Sequence, residues 1–388
     1  MNLRFFGKRT AVVLLSAAAA MSGGTSSAND KLDAKPSLDG KWEGVRAGVN
    51  IAPAPKSADD INPEAAGRSP DGTFPRSADG KRFSTMLVYE DGTAYGRSGD
   101  IDLGYLVPPD GNGAFNPDAF TLDEPKVDED ATDETRSIVG GSLNSDRRYR
   151  FSSTASLGNY PFRTIGSISS NGNTKQGWCS GVMIGPRHVL TAAHCLHDSE
   201  GNWYSPIYFN PGQTNTVKVN GSHKMVARLA RDHGIHRKYD YGIIILEDSP
   251  QLASLGWMGI AWWNSPFSYN GKYAYNKGYP GPSRQCKASP LASKRCDGWM
   301  YADSEGLSWL DAFNGDLLEY NIDTDRGHSG SPVYTYLNGA PAVLAVHAYG
   351  VSNGLLNHGP KFRSSMYNDV CSWIGIIDSA YASHPNCT

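Results

Sequence analysis

From Ser137 onward, apolar residues come in short runs of β type broken by turn residues. Arg163-Thr-Ile-Gly-Ser-Ile168, Gly181-Val-Met-Ile184, Tyr241-Gly-Ile-Ile-Ile-Leu246 and Ala342-Val-Leu-Ala-Val346 are rich in branched side chains, which pack well on a pleated surface. Between such runs stand Ser170-Asn-Gly172, Gly278-Tyr-Pro-Gly281 and Ser352-Asn-Gly354, combinations that reverse a chain. This rhythm predicts an all-β sandwich or barrel. One stretch near the end, Ser365 to Ile377, reads as a helix, and no internal repeat of convincing period is present.

Ahead of Ser137 the pattern changes. Ala11 to Met21 is a short uncharged apolar run preceded by Arg4, Lys8 and Arg9 and followed by Ser26-Ser27-Ala28. That is the layout of a signal peptide over residues 1–28, and the run is too short to span a bilayer. Residues 29–136 carry 12 basic and 22 acidic residues, while 137–388 carry a net charge of +4. The acidic part is rich in Pro, Gly, Asp and Ser, as in Ile51-Ala-Pro-Ala-Pro55 and Val107-Pro-Pro-Asp-Gly111. Such composition reads as loosely structured or as linker, although Ser84-Thr-Met-Leu-Val-Tyr89 has strand character. An acidic segment before a mildly basic domain suggests a propeptide covering its own domain. The chain as a whole, at 388 residues and a formal net charge of −3, offers no strong field for nucleic acid. The expected product is an exported, monomeric domain that does not stay in a membrane.

Six cysteines fall at or after Cys179. In an exported chain an even number favours disulfides over metal ligation, although six cysteines allow fifteen connectivities. Proximity suggests Cys179–Cys195, Cys286–Cys296 and Cys371–Cys387, each closing a short loop and each contributing ~2–4 kcal/mol. No CxxC occurs, so neither a metal nor any other cofactor is expected.

Three segments carry candidate chemistry: Thr191-Ala-Ala-His194-Cys195 after an apolar run, Tyr239-Asp240-Tyr241 at the mouth of another, and Gly327-His328-Ser329-Gly330-Ser331-Pro332. A serine hydroxyl needs an imidazole to take its proton, and the imidazole needs a carboxylate to fix its tautomer. Glycines beside the serine let the backbone turn so that the N–H groups of Gly327 and Ser329 face a developing oxyanion. The order His194, Asp240, Ser329, with spacings of 46 and 89 residues, differs from that of subtilisin and of the α/β-hydrolases. Asp232 is a rival acid, but no apolar strand follows it.

Ser137-Ile-Val-Gly-Gly141, Tyr160-Pro-Phe-Arg163, Met183-Ile-Gly-Pro186, Thr191 to Cys195, Tyr239-Asp-Tyr-Gly242, Asp323-Thr324, Gly330-Ser-Pro332 and Leu344-Ala-Val-His347 resemble the chymotrypsin-fold serine proteases, and among them the bacterial glutamyl endopeptidases. The resemblance covers nearly all of 137–388 and none of 1–136. It implies a chymotrypsin-like double β-barrel with a C-terminal helix, hydrolysis of protein or peptide substrates without a cofactor, and an oxyanion hole at Gly327 and Ser329. His328 stands where the digestive enzymes keep an aspartate, so cleavage near Arg136 is expected to remove a propeptide rather than to make their activating ion pair.

The specificity pocket has two readings. Thr324 and His347 resemble a carboxylate-binding pair for substrate Glu, and a buried carboxylate needs such donors. Asp323, six residues before Ser329, instead matches the acid of trypsin-like enzymes, and broad specificity or an inactive protease-fold binding module are further alternatives. His233 and His236 read as loop residues rather than a metal site, and Trp257, Trp262 and Trp263 as packing residues.

Overall fold

The structure is a computed structural model that describes residues 45–61, 72, 74–99, 147–151, 153–172, 177–215, 217–234, 236–281, 298–313, 315–350, 356–377 and 387. The signal segment, the Arg136–Ser137 junction and the Cys286–Cys296 pair lie outside the described residues.

In chain order, four strands precede the protease-like region: β1 (Val45–Ala47), β2 (Ile51–Pro53), β3 (Thr85–Tyr89) and β4 (Ala94–Arg97). Then come β5 (Tyr149–Arg150), β6 (Ile165–Ser169), β7 (Gly177–Gly185), β8 (His188–Thr191), β9 (Trp203–Ser205), β10 (Tyr208–Pro211), β11 (His223–Arg231) and β12 (Gly242–Leu246). The second half adds β13 (Gly259–Ile260), β14 (Tyr273–Gly278), β15 (Tyr301–Gly306), β16 (Leu317–Tyr320), β17 (Pro332–Leu337), β18 (Ala340–Val346) and β19 (Asn357–Pro360). Helices are few: α1 (Thr154–Leu157), α2 (Pro250–Leu255) and α3 (Ser364–Ile377).

Strands β11-β10-β6-β7-β8-β12 form a sheet that closes because β12 also pairs with β11. This is a six-stranded barrel, closed by the pairing of β12 with β11. The runs Gly177–Gly185 and Gly242–Leu246 are buried at every position. They therefore read as unbroken apolar stretches and not as alternation. A second six-stranded sheet runs β13-β18-β17-β14-β15-β5, and the pair β16–β19 adjoins it through bridges at Ala345–Lys361 and Tyr349–His358. The architecture is the expected chymotrypsin-like one, all-β with a C-terminal helix.

Helix α3 packs on the first barrel by one face. Met366, Tyr367, Val370, Trp373 and Ile374 are at most 1% exposed, a three-and-four spacing that puts them on one stripe. Trp373 meets Tyr241 at 5.7 Å, and Tyr367 meets Trp262 at 4.7 Å. Cys371 on this helix is bonded to Cys387, and Cys179 to Cys195, as proximity suggested.

The reading of residues 29–136 as loosely structured needs correction where they are described. β3 pairs antiparallel with β11 from Thr85↔Arg231 to Tyr89↔Ala227, and β4 and β1 extend the sheet outward. Met86, Leu87 and Val88 are fully buried, each worth roughly 1.5–3 kcal/mol when removed from water. Composition misled here because the apolar cluster is only five residues long, and its partner strand lies far along the chain.

Candidate active site

His194 sits in the short turn Ala193–Cys195 directly after β8, and the Cys179–Cys195 bridge ties that turn to β7. Trp178 Nε1 donates to Cys195 O at 3.1 Å. Asp240 ends the turn Arg237–Tyr239 that opens β12. Because β8 and β12 are paired neighbours, with Thr191 opposite Gly242, the histidine and the acid emerge side by side.

They are joined twice. His194 N–H donates to Asp240 Oδ1 at 2.9 Å, and His194 Nδ1 lies 2.7 Å from Asp240 Oδ2. Asp240 is fully buried and His194 is 3% exposed. Burial alone would push the Asp240 carboxyl up. The His194 charge and hydrogen bond, helped by His233 and Tyr349, outweigh it and hold the carboxyl well below the usual carboxylate range. With Nδ1 committed to the carboxylate, Nε2 is buried and has no hydrogen-bond partner among the described residues.

Backbone packing holds the segment around Ser329 against β7 and the end of β8. Ser180 N–H donates to Ser329 O at 2.7 Å, Gly330 N–H to His347 O at 2.7 Å, and Ser331 N–H to His328 O at 2.8 Å. Gly330 (φ +87°) lies so close to the histidine loop that a Cβ there would sit 2.1 Å from Thr191 Oγ1. Gly327 (φ +99°) has no such room either, because a Cβ would sit 2.1 Å from Gly281 N. Both positions thus demand glycine for conformation and for space. Among the described residues the N–H groups of Gly327 and Ser329 donate to nothing, and the Ser329 hydroxyl makes no bond to His194 Nε2. His328 is buried, with Nδ1 3.1 Å from Asn276 Oδ1.

The rival acid is otherwise engaged. Asp232 accepts from Gly234 N–H (3.1 Å) and from Phe74 N–H (3.4 Å), so it anchors the N-terminal segment. His233 lies in a turn, as expected, but is buried there. It is 1% exposed, its ring lies 4.6 Å from His197, and burial and His197 push it down to about 3. His236 caps its turn, accepting from Lys238 N–H at 3.1 Å. Trp262 is buried against α3, while Trp257 and Trp263 are half-buried. Cys179, His194 and Cys195 lie within metal-binding distance of one another, but the two sulfurs are bonded to each other.

Thr324 and His347 are each 3% exposed. His347 Nδ1 lies 2.7 Å from the Tyr320 hydroxyl. Burial and the Glu305 charge keep Tyr320 protonated far above its ordinary range, and burial with His358 and His194 pushes His347 down to about 3. Both groups are thus neutral, and a phenol that donates to Nδ1 leaves the His347 proton on Nε2. Asp323 accepts from Arg147 N–H at 2.7 Å, with Arg147 Nε at 3.6 Å, and Arg147 also reaches Asp303 at 3.2 Å. Sequence reasoning missed Tyr320, and it missed the stack behind Asp240. Tyr349 lies over His358 at 5.0 Å, and Arg237 donates to His358 Nε2 at 2.9 Å.

A family profile described as "Trypsin-like peptidase domain" matches residues 179–341. The Glutamyl endopeptidase of Bacillus licheniformis is 30% identical over 247 residues, 61% of this chain and 69% of that protein. The chain belongs to the trypsin-like serine proteases. Within this family of serine endopeptidases it is a homologue of the glutamyl endopeptidases. A Bacillus subtilis protein named "Extracellular metalloprotease" is 29% identical over the same length and the same shares. A solved Glu endopeptidase in complex with MPD superimposes with a TM-score of 0.48 at 24% identity, over 62% of this chain and 99% of that one. No described helix is long and apolar enough to cross a membrane.

Proposed function

We propose that this protease cuts peptide bonds with Ser329 as nucleophile, His194 as general base and acid, and Asp240 as the group that orients and stabilises the imidazole. His194 Nε2 takes the proton from Ser329 Oγ as the new C–O bond forms. The same proton then goes to the amine as the C–N bond breaks, and water releases the acyl group by the reverse relay. The N–H groups of Gly327 and Ser329, which have no other acceptor, donate to the oxyanion. The observation that carries this reading is the pair of hydrogen bonds joining His194 to Asp240, which leaves Nε2 without a partner among the described residues.

The pocket reading follows from proton bookkeeping. The Tyr320 phenol donates to His347 Nδ1, so His347 Nε2–H and the Thr324 hydroxyl are donors for the carboxylate of a substrate Glu or Asp. Asp323, which would attract Lys or Arg, is already bound by Arg147. The protein is read as secreted and monomeric, with the segment before Ser137 acting as its propeptide.

Labelling with a fluorophosphonate tests the nucleophile. The reagent should attach to the peptide containing Ser329 and to nothing in Ser329→Ala. A label on another serine, or none on folded protein, contradicts the assignment.

A further inference from the structure

The catalytic reading leaves the segment Asn50–Ile61 unused, yet it lies on the rim of the site. Strand β2 runs parallel to β9, with Trp203 N–H donating to Asn50 O at 2.8 Å and Ala54 N–H to Ser205 O at 3.1 Å. It thus follows the chain that leaves His194. It then turns at Ala58–Asp60, where Asp60 Oδ2 accepts from the N–H groups of Lys56 and Ser57, both at 2.9 Å. Ala58 is 3% exposed, and its methyl carbon lies 3.0 Å from where a Cβ on Gly281 would sit. Next to it, Asp59 Oδ1 is 3.6 Å from Arg326 Nη1. Gly281 in turn donates its N–H to Arg326 O at 2.9 Å and packs against Gly327. The segment therefore bridges the rim from the histidine loop to the loop of the oxyanion donors.

A substrate crossing Ser329 has an acyl half, whose side chain goes to Thr324 and His347, and a leaving half. The segment's ion pair and pairings go to β9, Gly281 and Arg326, none of which the acyl half uses on the proposed reading. We propose that Asn50–Ile61 occupies the leaving-group side of the cleft in cis. In this arrangement Asp59 on Arg326 stands in for an acidic substrate residue, and Arg326 selects an acidic residue there once the segment is displaced. The charge distribution fits, since residues 29–136 carry 12 basic and 22 acidic residues and residues 137–388 a net charge of +4. The proposal rests on Ser329 being the nucleophile.

The test uses the intact full-length chain, its mass checked before and after assay, beside the double variant Ala58→Trp/Asp59→Lys. Three rates are compared: fluorophosphonate labelling, release of an anilide attached directly to Glu, and cleavage of the same sequence extended by four residues past the scissile bond. Labelling and anilide release, which need nothing beyond the scissile bond, should match in the two proteins. Extended peptides should be cut roughly tenfold faster by the variant, because overpacking and charge reversal expel the turn. The variant should prefer extensions bearing an acid within their first three residues over matched lysine peptides, and adding Arg326→Glu should reverse that preference. Should the double variant not fold, Asp59→Lys alone should raise the extended-to-anilide ratio about threefold, and Arg326→Glu in the same chain should lower it again. Labelled proteins with equal ratios overturn the occlusion, and absence of the Ser329 label overturns the nucleophile and this proposal together.

Discussion

Two buried histidines face this cleft, and they differ mainly in what holds Nδ1. His194 is held by the Asp240 carboxylate at 2.7 Å, and His347 by the Tyr320 phenol at 2.7 Å. Each follows a buried strand, β8 or β18. The partner decides the work. A carboxylate stabilises the imidazolium, so His194 is suited to accept a proton. A phenol in an apolar site offers no such charge, so His347 stays neutral. On the proposed reading one side chain is a base in the first barrel and a hydrogen-bond donor beside the second.

Removing the carboxylate sharpens this contrast most. Asp240→Asn should lower kcat by about 10⁴-fold, because the imidazole loses its tautomer and its counter-charge. His347→Gln should act mainly on KM for Glu peptides, with fluorophosphonate labelling near the wild-type rate. Steady-state kinetics on one Glu peptide, with labelling rates in parallel, would separate the two histidines.

Acid should expose the second difference. The folded pKa of His347 and that of His233 are depressed to about 3, by burial first and then by neighbouring histidines. The unfolded state then binds more protons than the folded state between about pH 6.5 and 3. Stability is therefore full above about 6.5 and falls as pH is lowered through that window. From pH 7 to pH 5 each such histidine should remove about 2 kcal/mol, measured by urea unfolding at the two values. His347→Gln should flatten that dependence by its own share. An unchanged slope would mean that His347 is not held neutral.

The smallest effect concerns the phenol itself. Tyr320→Phe removes one buried hydrogen bond, worth about 1–1.5 kcal/mol. It should cut kcat/KM for Glu peptides roughly tenfold while leaving Ser329 labelling unchanged. If labelling slows in parallel, Tyr320 supports the general fold and not the pocket.

Much of this arrangement was legible in the sequence. His194 stands in a turn after an apolar strand, Asp240 and Ser329 in turns that open one, and the pairing of β8 with β12 brings the first two together. The β-runs and the helix ending at Ile377 were legible for the same reason, since burial on one or both faces leaves its period in the sequence. Tyr320 was not, because a tyrosine on a short strand carries no mark that its hydroxyl meets a histidine 27 residues later. Neither was the engagement of Asp323, which depends on Arg147, 176 residues upstream. The strand Thr85–Tyr89 was half visible. Its five buried residues looked strand-like, but the surrounding acidic, Pro- and Gly-rich sequence hid that they complete the edge of β11.

The most direct test digests a mixed peptide library with the protein and with Ser329→Ala, and reads the cleavage sites by mass spectrometry. Cuts after Glu, present with the protein and absent with the variant, are the predicted result. Cuts after Lys or Arg would keep the nucleophile but contradict the Tyr320–His347 pocket, and cuts that persist in Ser329→Ala would contradict the nucleophile itself.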